Sequence, residues 1–259
     1  MKSRKYFVAA IFTVIILLFF TACSLLTDPT SFFEWQPDGS GGIIITGYTG
    51  PGGAVVIPAQ INGDPVRTIG EGAFVRSNLT SVILPDNVIN IKEWAFNNNH
   101  LASAIIPNSV TFIGQGAFAS NHLISVTIPK NITSIGDRAF NGNLLTSITI
   151  PNSVIFIGES AFSVNRLTSV NIGNSVTSIG TWAFGNNYLT NVTIPDSVTF
   201  IGSFAFVINE LVSITIGANV ELGDRAFGPG FEAVYEAAGR AAGTYTRPRF
   251  DSLDWVKRE

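Results

Sequence analysis

Apolar positions along this chain recur on a fixed period. An Ala-Phe pair ends at Phe74, Phe96, Phe118, Phe140, Phe162, Phe184 and Phe206, always at the same interval, and an eighth at Phe227 arrives one position early. One unit, Leu145 to Arg166, runs LTSITIPNSVIFIGESAFSVNR. Stacking the units gives columns of leucine (Leu79, Leu101, Leu123, Leu145, Leu167, Leu189, Leu211) and of isoleucine (Ile91, Ile113, Ile135, Ile157, Ile179, Ile201), and a third running from Leu84 to Ile216. No single unit is long enough to enclose its own apolar side chains, so neighbours must share one continuous core. The β-branched, alternating L-x-x-V-x-I segment predicts a short strand, and successive strands are expected to stack as a parallel sheet. Pro85, Pro107, Pro129, Pro151 and Pro195 end it, because proline cannot donate a ladder hydrogen bond. Gly173 and Gly217 take that place in two units. A second brief extended piece, V-x-x-I-G, turns the chain, and the Ala-Phe pair closes the coil through a tight helical turn. The expected fold is a repeat solenoid, mainly β, with 22-residue coils and little regular α-helix.

A polar column accompanies the apolar ones. Asn99, Asn121, Asn143, Asn165, Asn187 and Asn209 each stand at the third position after a phenylalanine. At a buried turn such an amide can satisfy backbone groups of its own coil and of the next, which predicts a structural ladder. At the ends the pattern changes. Ile43–Tyr48 and Ala54–Pro58 flank Thr-Gly-Pro-Gly-Gly, a hairpin signal, and Asn62-Gly63-Asp64 marks another turn. After Gly228-Pro229-Gly230, Phe231, Val234, Tyr235 and Ala238 fall at helical spacing, which predicts a short capping helix.

The period, the proline and the Ala-Phe pair resemble the BspA-like (treponemal-type) leucine-rich repeat, whose pattern is close to L-x-x-L-x-L-P-x-x-L-x-x-I-x-x-x-A-F-x-x-C-x-x. Here Asn stands where many members have Cys. The resemblance covers about Ile43 to Phe227, and it implies a surface-displayed binding or adhesion role, with partners that vary among members.

Lys2, Arg4 and Lys5 precede an uncharged apolar stretch from Tyr6 to Phe20, then Thr21-Ala22-Cys23. A basic start, a short apolar run and small residues before a cut describe a secretory signal. The run falls short of the about 20 residues a membrane span needs. Thr-Ala-Cys resembles a bacterial lipoprotein box, with Phe20 where that box usually has Leu, and implies lipidation at Cys23. The alternatives are an ordinary signal peptide with an incidental cysteine, or a short uncleaved anchor. Ser24 permits outer-membrane placement. The chain thus divides into a signal peptide (1–22), lipidated cysteine and tether (23–31), N-terminal capping hairpin (32–65), solenoid (66–227) and C-terminal cap (228–259).

Composition narrows the function. Apolar residues make up 46% of the chain and charged residues 13%. That balance excludes ordinary disorder. Beyond the three N-terminal bases, 12 basic residues face 18 acidic ones. Nothing in that balance favours nucleic acid. One cysteine cannot form an intramolecular disulfide or a cysteine metal site. His100 and His122 share a column but lack clustered carboxylates, and Glu71, Glu93, Gln115, Asp137 and Glu159 supply too few oxygens for calcium. No cofactor, metal or enzymatic activity is expected. Two surfaces remain. Outward strand positions Ile83, Ile105, Thr127, Thr149, Asn171, Thr193 and Thr215 form an uncharged, hydroxyl-rich binding face. Phe112, Phe156 and Phe200 alternate with Asn90, Ser134 and Ser178, either covering their small neighbours or forming a sticky stripe that Trp94 and Trp182 would extend. The expected function is an envelope-anchored module, held at the membrane by its lipid, that binds an extracellular protein or glycan. The alternative is a structural lipoprotein organising its own envelope.

Overall fold

The computed structural model describes residues 29–258. Cys23 and the apolar stretch before it lie outside the described residues. The units coil into a β-solenoid whose buried Leu, Ile, Val, Ala and Phe columns form one cluster from Phe33 to Trp255. The eight phenylalanines from Phe74 to Phe227 stack with ring centroids 5.0–5.5 Å apart and within 17° of parallel. Strands in a sheet lie about 4.8 Å apart, so identical side chains one coil apart are forced nearly face to face.

Two parallel sheets line the coil, and their division of labour differs from the expectation. The continuous one, of eleven strands, is built mostly from the second, two-residue piece: Asn90–Ile91, Phe112–Ile113, Ser134–Ile135, Phe156–Ile157, Ser178–Ile179, Phe200–Ile201 and Glu221–Leu222. The L-x-x-V-x-I strands form shorter ladders instead, interrupted after Ser125–Val126 and again after Ser169–Asn171. Val126 and Val170 are half-buried there, while most of their column is buried. Between the sheets each P-x-x-V segment closes a turn, as where Val154 N–H donates to Pro151 O at 3.1 Å. Gly173 accepts the same bond from Val176 at 3.1 Å.

The Ala-Phe turn adds a third ladder. Trp94, Phe96 and Asn98 donate their N–H groups forward to the Gln115, Ala117 and Ala119 carbonyls, at 2.8, 2.8 and 3.0 Å. This geometry places two residues per coil in the left-handed region, bulky ones included: Trp94 at φ 57°, Trp182 at 58° and Phe204 at 60° in one column, Val164 at 56° and Ile208 at 54° in the other. Left-handed backbone costs an L-residue about 1–2 kcal/mol, and a β-branched one is an outlier there. Val164 and Ile208 are 49% and 60% exposed, so replacing them removes little buried surface. Asn98 and Asn186 already occupy equivalent places. Val164→Asn and Ile208→Asn should each raise the unfolding free energy by about 1 kcal/mol. An unchanged or lower midpoint in urea would show that these positions carry no strain.

At the N-terminus the two apolar runs expected to pair with each other do not. Ile43–Tyr48 joins the long sheet in parallel to Asp64–Ile69, and Gly53–Val56 joins the other face in parallel to Leu79–Ile83. The capping hairpin lies one strand earlier, where Phe33–Pro37 pairs antiparallel with Ile43–Tyr48. Its loop is held by Asp38, whose carboxylate accepts from the Ser40 and Gly42 N–H groups at 2.7 and 2.9 Å. The Ser40 amide bond chiefly holds that carboxyl below its ordinary pKa. Asn62 and Gly63, both with positive φ, make the two-residue turn between Gln60–Ile61 and Asp64–Ile69.

The other end closes with the helix Phe231–Ala237 and two antiparallel strands, Gly243–Thr246 on Ser213–Ile216 and Val256–Lys257 outside it. Phe231 meets the last ladder ring, Phe227, edge-on at 4.8 Å and packs against Tyr235, Tyr245 and Trp255. Tyr235 Oη donates to Gly217 O at 2.6 Å and accepts from Val220 N–H at 3.1 Å. It thereby bridges the two ends that a P-x-x-V turn joins directly. Arg247 is buried over the Trp255 ring, 4.5 Å from its centroid, and donates to Leu211 O at 2.6 Å and Ser252 O at 2.9 Å. Burial pulls its pKa below the usual arginine value.

Candidate binding faces

Six of the seven outward strand residues are exposed: Ile83, Ile105, Thr127, Thr149, Asn171 and Thr193. Ile105 is the most open of the large apolar ones at 71%. Thr215 departs from the expected face. The cap strand Gly243–Thr246 covers it, and its hydroxyl lies 2.9 Å from that of Thr244. Apolar residues gather at the N-terminal end, where Val56, Ile83 and Ile105 are in register across three strands. Where the ladder breaks after Ser125–Val126, a shallow cleft of about 450 Å³ opens, with Asn108, Ser125, Thr127, Lys130, Ser147 and Thr149 supplying its polar lining. Hydroxyls there can donate and accept, so the cleft suits hydrogen-bonding ligands.

The phenylalanine column stands on the long sheet. Register pairs Asn90 with Phe112, Ser134 with Phe156, and Ser178 with both Phe156 and Phe200. Phe156 and Phe200 are 41% and 38% exposed; Phe112 is half-buried, with Lys92 Nζ 5.3 Å from its ring centroid. The same two-coil spacing separates the two interruptions of the opposite ladder. Trp94 and Trp182 lie against the neighbouring coil. A Cβ on Gly116 would meet the Trp94 ring, and Trp182 sits 5.5 Å from Phe204.

The asparagine column is placed inside the turn. Asn143 Oδ1 accepts from Leu123 N–H at 3.0 Å, while Nδ2 donates to Phe118 O at 2.9 Å and to Phe140 O at 3.1 Å. Asn99, Asn121, Asn165, Asn187 and Asn209 repeat the arrangement. The amides therefore tie their own coil to the preceding coil, not to the following one. Each Phe carbonyl in the middle of the array receives two such amides, which occupies both of its lone pairs.

His100 and His122 are exposed, with rings 5.3 Å apart and 29° from parallel. Of the acidic column, Glu159 pairs with Arg138 at 3.4 Å on the surface, and Asp137 accepts from Glu159 N–H at 2.8 Å. Among the described residues, no group of three or more His, Cys, Asp or Glu is placed to hold a metal ion. Among them, too, no helix is long and apolar enough to cross a membrane.

Six copies of the BspA type leucine rich repeat region match the chain, over residues 57–166 and 133–229. The chain belongs to this family. It is similar to the crystal structure of the T. pallidum leucine rich repeat protein TpLRR, at 31% identity with a TM-score of 0.55, over 62% of this chain and 78% of that one. A leucine-rich repeat protein from Eubacterium ventriosum shares the fold at 22% identity and a TM-score of 0.52, over 76% of this chain and 61% of that one. No curated protein matches the chain. Leucine-rich solenoids stack short repeats into extended surfaces, and the BspA-type repeats here carry outward residues on both sheet faces.

Proposed function

We propose that this chain is an envelope-attached binding or adhesion module that presents its repeat surface to a protein or glycan outside the cell. The observation that carries this reading is the run of outward residues from Ile83 to Thr193, which the fold leaves exposed and does not use. The core is built from the inward columns, and the turns are satisfied by the asparagines. The outward row is uncharged, so recognition would rest on shape and hydrogen bonds and depend little on salt. Attachment through a lipid on Cys23 fits the reading, because acyl chains on that residue would hold the repeat surface at the membrane.

Two measurements test it. Protease added to intact cells should remove the protein, and an undigested chain on intact cells would sink display to the outside. The purified protein should capture a partner from extracellular material, and Ile105→Lys with Thr149→Arg should reduce that capture at least tenfold without shifting the melting temperature. Equal capture by the folded variant would move the interface off this face.

A further inference from the structure

The long sheet carries a more specific message. Phe112, Phe156 and Phe200 point outward from alternate coils, and Ser134 and Ser178 take the same place in the coils between. Since the sheet runs unbroken through the serine coils, the rings are not required for it. Phe156 and Phe200 nonetheless stand 41% and 38% exposed.

Two rows of residues flank the rings. On one side run the exposed Thr111, Thr133, Thr177 and Thr199, with Ile155, 50% exposed, in the same row beside Phe156. On the other runs a row of glycines, Gly114, Gly136, Gly158, Gly180 and Gly202, of which Gly114, Gly158 and Gly202 are buried against the neighbouring coils. A Cβ on any of these would come within 2.5–2.7 Å of the preceding coil's backbone. Lys92 stands in the same row one coil earlier, its ammonium over the first ring.

We propose that this face binds a neutral, extended β-1,4-linked polysaccharide lying along the solenoid axis, with sugar rings stacked on Phe156 and Phe200. This deepens the reading above and rests on it. The C–H faces of pyranose rings pack against aromatic planes, and the hydroxyls at their edges hydrogen-bond to threonine and serine. Alternate coils are about 10 Å apart at the strand spacing of a sheet, and a β-1,4 chain, which turns over at each residue, presents the same sugar face again at about that distance. An extended peptide repeats its faces at about 6.7 Å and falls out of step with the rings. Charge selects further. Asp137 and Glu159 border the glycine row, with Arg138 paired to only one of them, so an anionic polysaccharide would be repelled.

The test uses the purified protein with cellohexaose and chitohexaose as probes, and with maltohexaose and polygalacturonate as comparisons, measured by calorimetry. At least one β-1,4 hexasaccharide should bind, and F156S/F200S should weaken it at least tenfold while circular dichroism and melting temperature stay unchanged. Maltohexaose and polygalacturonate should not bind. Should the serine pair fail to fold, F156L/F200L, which keeps apolar bulk and removes the rings, carries the same expectation. The proposal is overturned if neither β-1,4 probe binds, if the folded variant binds equally, or if maltohexaose binds as well. Failure here with partner capture by the Ile83–Thr193 face intact would remove the polysaccharide and leave surface binding standing.

Discussion

Asn143→Leu is expected to lower the unfolding free energy by about 3 kcal/mol, although it touches no ligand surface. The side chain is 4% exposed and bonds to four backbone groups, the longest contact being to Asn141 O at 3.5 Å. Leucine leaves the Leu123 N–H buried with no partner, which costs about 1–3 kcal/mol. The Phe118 and Phe140 carbonyls each lose one bond but keep another, from Asn121 at 3.2 Å and Asn165 at 3.0 Å. Those two losses add about 1 kcal/mol each at most. Asn143→Asp sharpens the test. It would still accept from Leu123, but it would set a carboxylate against two carbonyl oxygens. Burial and that repulsion raise its folded-state pKa above the unfolded value. A raised pKa stabilises the fold below the unfolded value and loses that contribution as pH rises through the folded one. Relative to the parent, the aspartate variant should therefore be less destabilised at pH 4 than at pH 7. Urea midpoints at both pH values decide the matter. A leucine variant as stable as the parent would show that water or relaxation replaces the amide.

Gly158→Ala should be comparably damaging, by about 2–3 kcal/mol, for a steric reason alone. Its φ is not in the left-handed region, so no conformational argument demands glycine. What demands it is the coil beneath: a Cβ would lie 2.6 Å from Asp137 N and 2.8 Å from Gly136 C. Backbone cannot swing aside as a long side chain can, so the coils must separate locally. Separation stretches the ladder bond from Gly158 N–H to Ile135 O, now 2.9 Å. Gly142→Ala is the matched comparison. That glycine has φ +65° but open space, with its nearest neighbour 3.7 Å from a Cβ placed there. Only left-handed strain of about 1 kcal/mol applies to it. Equal losses for the two variants in thermal unfolding would refute close approach as the cause.

Both predictions concern columns visible in the sequence, but only one of the two reasons was. The asparagine spacing already pointed to a polar ladder, because a buried amide recurring once in every coil must find partners in a stack. The direction of its bonds, back to the preceding coil, was not visible. The glycine requirement was hidden because V-x-x-I-G also reads as a simple strand ending. Trp94, Trp182, Val164 and Ile208 in left-handed backbone run against every local preference. They follow from N–H groups that must reach the next coil, a demand no single unit can announce.

At the surface the division is similar. Outward residues from Ile83 to Thr193 were legible from strand alternation, as was the phenylalanine stripe from its recurrence in alternate units. That Thr215 is closed off by Thr244 depends on a cap strand 29 residues later. That Ile43–Tyr48 and Ala54–Pro58 belong to different sheets depends on coils that follow them. A residue repeated at constant offset meets its own copy, so period, core and polar ladder follow from the order of residues alone. Which sheet stays continuous, where coils come too close for a Cβ, and which outward residues remain open depend on how unlike segments pack against each other. Those distances exist only once the coils are stacked.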